Sequence, residues 1–280
     1  MASFDFDQAE GLRRMLAGPR PRIVTFLSAT PEDDKGAMLV NLGASLAQAG
    51  NDVLIVDACE YDYGVAQRLG VDRGPGLLDV ARQECGLNQV IKAVPQGFSV
   101  VSMRRGTAGS AWVHRGGAEP CAGTTSDEAR RLAKAFEVMV KQTGIVIVDG
   151  EVGEDGSFPL PIMADSEIVI QVSTSAASIT NAYSLIKRLS QQLGRRPFGV
   201  LVTGASEAEA RVVYDNMSAA ATRYLAVTLN SMGSVPADEY LQRAARLGRA
   251  VVDAFPLAGA SVAFRQLAGR FALPGMGLGR

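Results

Sequence analysis

Short runs of β-branched and aliphatic residues recur along this chain, and longer stretches with helical spacing separate them. The runs are RIVTFL (22–27), DVLIVDA (52–58), GIVIVDG (144–150), SEIVIQVS (166–173) and FGVLVT (198–203). A strand that is apolar at nearly every position is covered on both faces, so the pattern predicts parallel strands between helical layers. The intervening AMLVNLGASLAQAG (37–50) and SITNAYSLIKRLSQQLG (178–194) supply such helices and end at Gly50 and Gly194. The fold class is therefore α/β, a doubly wound, mostly parallel sheet with helices on both faces.

Charge excludes one class of partner. With 28 basic and 29 acidic residues dispersed along 280, the net charge is −1, and no basic patch draws the protein to nucleic acid. Three widely spaced cysteines (Cys59, Cys85, Cys121) form neither a disulfide framework nor a zinc signature, and no run reaches the length of a membrane span. A cytoplasmic protein is expected.

Two segments stand apart from the alternation. Residues 1–20 hold DQAEGLRRMLAG, in which Asp7 and Glu10 have capping-box spacing and Gly18-Pro19 stops the helix. Ala9, Leu12, Met15 and Leu16 share a stripe that needs a surface to dock on. The second segment, 104–128, is rich in Gly, Ser, Thr and Ala, contains the single Trp112 and the single His114, and reads as an irregular loop.

The loop after the first strand, SATPEDDKGAM (28–38), carries the chemistry. In order of elements and position it resembles the MinD/ParA group of deviant P-loop ATPases, whose motif runs S-G-K-G-G-V-G-K-T. Ser28 and Lys35 are kept. Ala29, Pro31, Glu32 and Asp34 replace the glycines, Thr30 replaces the signature lysine, and Gly36 replaces the hydroxyl residue that binds Mg²⁺. Pro31 removes an N–H donor, and a carboxylate about 5 Å from a phosphate charge is repelled by roughly 3 kcal/mol at an effective dielectric near 20. Neighbouring Asp33 or Asp34 is the expected partner of Lys35.

The same resemblance places Asp57, in VLIVDACEYDYG, on the first acid of switch I, with Cys59 where the family orients attacking water. It places Asp149, in IVIVDGEVG, on the Walker B acid near Mg²⁺, and Thr203 where relatives read adenine with Asn. Lys35, Asp57 and Asp149 thus make a vestigial nucleotide site. ATP and Mg²⁺ are the cofactors that the resemblance implies and the substitutions argue against, so no catalytic residue or metal ligand is assigned.

SITNAYSLIKRL and DQAEGLRRM resemble the FlhG (YlxH or FleN) branch, regulators of flagellar number and placement. That resemblance implies that Asp7, Gln8, Ala9, Leu12 and Arg13 contact an FlhF-type GTPase, that 1–20 is a partner-activating helix, and that 21–280 is the MinD/ParA-like domain. A homodimer is a further expected partner. The alternative is a working ATP-binding switch that dimerises with nucleotide. The terminal SVAFRQLAGRFAL (261–273) sets Phe264, Leu267, Ala268 and Phe271 on one side, suiting either a core-docked helix or a peripheral membrane contact. A third reading, a small-molecule enzyme on a Rossmann-like fold, is disfavoured because no G-x-G-x-x-G follows a strand and no nucleophile–base pair is apparent.

Overall fold

The computed structural model describes residues 21–59, 64–103, 126–153 and 157–272. Eight strands, β1 Arg22–Ser28, β2 Val53–Asp57, β3 Lys92–Ala93, β4 Ser99–Ser102, β5 Ile145–Asp149, β6 Glu167–Val172, β7 Phe198–Thr203 and β8 Leu229–Val235, form one sheet. Their order is β3-β4-β2-β5-β1-β6-β7-β8. Every neighbouring pair is parallel except β3 with β4. The longer helices are α1 Lys35–Gln48, α2 Ser126–Lys141, α3 Ala176–Leu193, α4 Glu207–Leu225, α5 Glu239–Arg246 and α6 Gly259–Ala272. The doubly wound reading of the sequence holds.

Alternation along each strand divides the core in two. On β1, Val24 and Phe26 face α1 and α6, while Leu27 faces the layer of α2, α3 and α4; on β2, Val53 and Ile55 split from Leu54 and Val56 in the same way. The chain crosses from β1 to one half of the sheet and returns at β6 to build the other. Loops following β1, β5 and β6 therefore diverge at one carboxyl edge, the crevice where ligands of open α/β sheets bind.

Two expectations are resolved here. Within the stretch 104–128 expected to be an irregular loop, α2 begins at Ser126, and its first turn carries Asp127 and Glu128 at the positive end of the helix dipole. Trp112 and His114 lie outside the described residues, as does the N-terminal segment with Asp7, Gln8, Ala9, Leu12 and Arg13. For 261–272 of that segment the structure shows the docked alternative: Phe264, Leu267, Ala268 and Phe271 are buried, and the Phe271 ring lies 5.7 Å from that of Phe26. Arg22 secures the end of α6 by donating to the carbonyls of Arg270 and Phe271, 2.9 Å each, while pairing with Glu167 at 2.8 Å. That apolar face is already used by the core. Among the described residues no helix is long and apolar enough to cross a membrane.

Candidate functional site

The site is built at the ends of β1, β2 and β5. The parallel register sets Asp57 directly beside Asp149, so two carboxylates meet on adjacent strands in a setting almost without solvent. Such a pair is tolerated only if donors and a counter-charge surround it. The short helix Val65–Arg68 provides the donors. Its first N–H groups point at the acids: Val65 N donates to Asp149 Oδ2 at 3.0 Å and Ala66 N to Asp57 Oδ2 at 2.7 Å. Cys59 N donates to the other Asp57 oxygen at 3.1 Å.

Lys35 provides the counter-charge. Asp34 has a left-handed backbone (φ 49°) and caps α1 by accepting from Ala37 N at 3.3 Å, so Lys35 enters the first helical position aimed inward. Its ammonium donates to the Gly150 carbonyl, lies 3.4 Å from that of Phe26 and 3.8 Å from Cys59 Sγ. It also lies 2.8 Å from Asp149 Oδ1 without hydrogen-bond alignment, so that buried oxygen is neutralised by charge rather than by a directed bond. The expectation that Lys35 pairs with Asp33 or Asp34 is thus corrected. Asp34 pairs instead with Arg68, because the left-handed turn separates its side chain from that of Lys35.

Titration follows from this packing. Burial pulls the Lys35 ammonium down, but the Asp149 carboxylate overrides it and the net shift is upward. Burial, then repulsion from Asp149, pushes the Asp57 carboxyl up to about 7 against the pull of the Ala66 and Cys59 N–H groups. Burial pushes the Cys59 thiol well above its ordinary value, with Lys35 opposing and the two acids adding. Cys59 therefore holds its proton more tightly than a free thiol.

The acidic turn itself is a 3₁₀ turn, Pro31–Asp33, held to the sheet. Asp33 accepts from Ser178 Oγ at 2.8 Å and from Ser28 Oγ at 3.4 Å, and its carbonyl accepts from the buried Gln171 amide, which also donates to Thr203 Oγ1 at 3.2 Å. Two of the three acids, Asp33 and Asp34, thus have structural partners other than Lys35. The turn stands between two hollows. One of about 380 Å³ is lined by Thr30, Asn181, Ser184 and Arg188, and one of about 880 Å³ by Thr203, Pro236, Leu241 and Phe264.

Gly64 is a residue that motif reading passed over. A Cβ there would lie 2.7 Å from Asp57 Cγ and closer to both its oxygens. Gly64→Ala should cost about 1–3 kcal/mol in urea unfolding through overpacking against an immobile carboxylate; an unchanged midpoint would show that the helix Val65–Arg68 does not close on Asp57.

No family model matches the chain. Antiactivator FleN of Pseudomonas aeruginosa is 32% identical over 233 residues, 82% of this chain and 78% of that protein. The chain belongs to the FleN family. Among solved structures, the MinD cell division protein of Aquifex aeolicus superposes with a TM-score of 0.64 at 18% identity, covering 92% of this chain and 100% of that one. The MinC:MinD complex of the same organism gives 0.66 at 18%, with 92% and 99% covered. These two likenesses show the MinD/ParA fold.

The group that the fold implies is a Mg²⁺-nucleotide, and this FleN-family chain does not fit it. Gly36 has no hydroxyl for the metal, the Lys35 ammonium is engaged by Asp149, and Pro31 lacks a donor. The structure does bring Lys35, Asp57 and Asp149 together as one cluster, as their placement on the motifs implied. Sequence reasoning missed Arg68, Gln171 and Ser178. Ser178 stood in the SITNAYS run as part of a helix signature, and nothing local marked it as the partner of Asp33.

Proposed function

We propose that this FleN-family chain regulates flagellar number, placement and assembly through protein contacts, and that it is a degenerate ATPase. The observation that carries this reading is the Lys35 ammonium buried against Asp149 and the Gly150 carbonyl, where its charge is already engaged. Residues 21–280 then serve as a scaffold, and the helix in 1–20 engages an FlhF-type GTPase through Asp7, Gln8, Ala9, Leu12 and Arg13. An amide and a guanidinium there suit the charge that develops in phosphoryl transfer. A homodimer of this chain is constitutive on this reading, and a place at the inner membrane or cell pole comes through the partner.

The survival of Lys35, Asp57 and Asp149 as one cluster favours a second reading, an ATP-driven dimerising switch. Calorimetry with Mg-ATP separates the two, with no binding expected up to millimolar nucleotide. In parallel, Gln8→Ala with Arg13→Ala should return FlhF-type GTP hydrolysis to its basal rate and fail to restore flagellar number in a deletion strain. Micromolar Mg-ATP binding that drives dimerisation, or undiminished stimulation by the double variant, would overturn the proposal.

A further inference from the structure

One surface of the scaffold is apolar, fastened in place and uncovered. Leu257 is 93% exposed, the most of any large apolar side chain among the described residues, and Val262, in the first turn of α6, is 42% exposed. The turn that carries Leu257 is nonetheless held. The Phe255 ring packs 4.8 Å from that of Tyr240, the Phe255 carbonyl accepts from Ser261 Oγ at 2.8 Å and from Ala258 N at 3.0 Å, and the Pro256 carbonyl accepts from Arg265 at 2.6 Å. A leucine presented on a fixed turn gives up little further freedom when something covers it. The ground around it is basic. Residues 239–265 hold four arginines (Arg243, Arg246, Arg249, Arg265) against two acids (Glu239, Asp253), a net charge of +2 in a chain whose total is −1.

The start of the same chain has the complementary character. MASFDFDQAE (1–10) interleaves Phe4 and Phe6 with Asp5 and Asp7, adds Glu10, and contains no Lys or Arg. It is also within reach. Arg22 is bonded to the last carbonyls of α6, and the Leu257 turn precedes the first residue of that helix, about 21 Å away for 14 residues at roughly 1.5 Å each. A chain with 11–17 helical and 18–21 extended spans about 23 Å. We infer that the acidic, aromatic head Phe4–Glu10 docks on the ridge of Phe255, Leu257 and Val262 in its own domain, with its carboxylates toward the arginines. A short tether gives an effective concentration on the order of 1 mM, so a contact with a dissociation constant of about 0.1 mM keeps the segment docked roughly ten times as often as free. The docked segment includes Asp7, Gln8 and Ala9, so on the reading that these engage an FlhF-type GTPase, the ridge and the partner compete for them.

The test is amide hydrogen exchange of the full chain, read by mass spectrometry on the peptide covering 1–12. In the wild type these amides should exchange about tenfold more slowly than in the free peptide, the ratio set by the docked fraction. Leu257→Ser, and separately Phe4→Ser with Phe6→Ser, should return them to the free rate, while Val212→Ser on the exposed face of α4 should leave the protection intact. Leu257 and Val212 both point into solvent, so neither variant threatens the fold. Three results would overturn the inference: an unprotected 1–12 peptide in the wild type, protection that survives Leu257→Ser, or protection that rises with protein concentration, which would put the head on a second copy. On the same footing, Leu257→Ser should raise stimulation of an FlhF-type GTPase at subsaturating concentration. Exchange decides the docking without any partner present, so a chain that stimulates no GTPase would count against the proposed function and leave the docking to its own measurement.

Discussion

Replacing Lys35 by Met should destabilise the protein by about 3–5 kcal/mol, the cost of removing one partner from a buried ion pair. Met has nearly the length of Lys and no charge, so the packing of the α1 start is retained and the loss is electrostatic. Asp149 is wholly buried and would keep only the Val65 N–H, while Asp57 lies beside it with no compensating positive charge. The expected midpoint shift in urea is large at neutral pH and shrinks as acid protonates the orphaned carboxyls. The double variant Lys35→Met/Asp149→Asn should recover part of the loss, with a coupling of about 0.5–3 kcal/mol between the two positions. A loss below about 1 kcal/mol for Lys35→Met would mean that the ammonium lies in water and the ion pair is incidental.

Much of the fold was legible because burial on both faces leaves a strong mark in sequence. GIVIVDG and FGVLVT have no polar interruption, and both are central strands. By contrast β3 at the sheet edge, with only Lys92 and Ala93, and its neighbour β4, with four residues, are too short to carry a period. The helix Val65–Arg68 has four residues and no amphipathic stripe, yet it is what satisfies both acids. Its importance comes from where its N–H groups point, which spacing does not encode. The site was half legible for a similar reason. Resemblance placed Lys35, Asp57 and Asp149 on one motif set, but the direction of Lys35 depends on the left-handed backbone of Asp34, and a non-glycine residue gives little warning of that conformation. The acids of the loop were visible; their partners Ser178 and Arg68, far away in sequence, were not.

The same cluster should make stability fall with rising pH in a window where most proteins are level. Asp57 ordinarily titrates at 3.8, and in the folded chain burial and the neighbouring Asp149 push it up to about 7. Between these values the folded state holds a proton that the unfolded chain has released. Stability therefore declines as pH rises, by up to about 1.4 kcal/mol per pH unit, or a total on the order of 4 kcal/mol. The contribution is fully present below 3.8 and lost as pH passes through 7. Asp57→Asn removes the titrating group, so the difference in unfolding free energy between the wild type and this variant, measured from pH 4 to 8, should change by several kcal/mol. Other acids cancel in that difference because both chains share them. A difference that stays constant across the range would show that Asp57 is ionised throughout, with Lys35 serving both carboxylates at once.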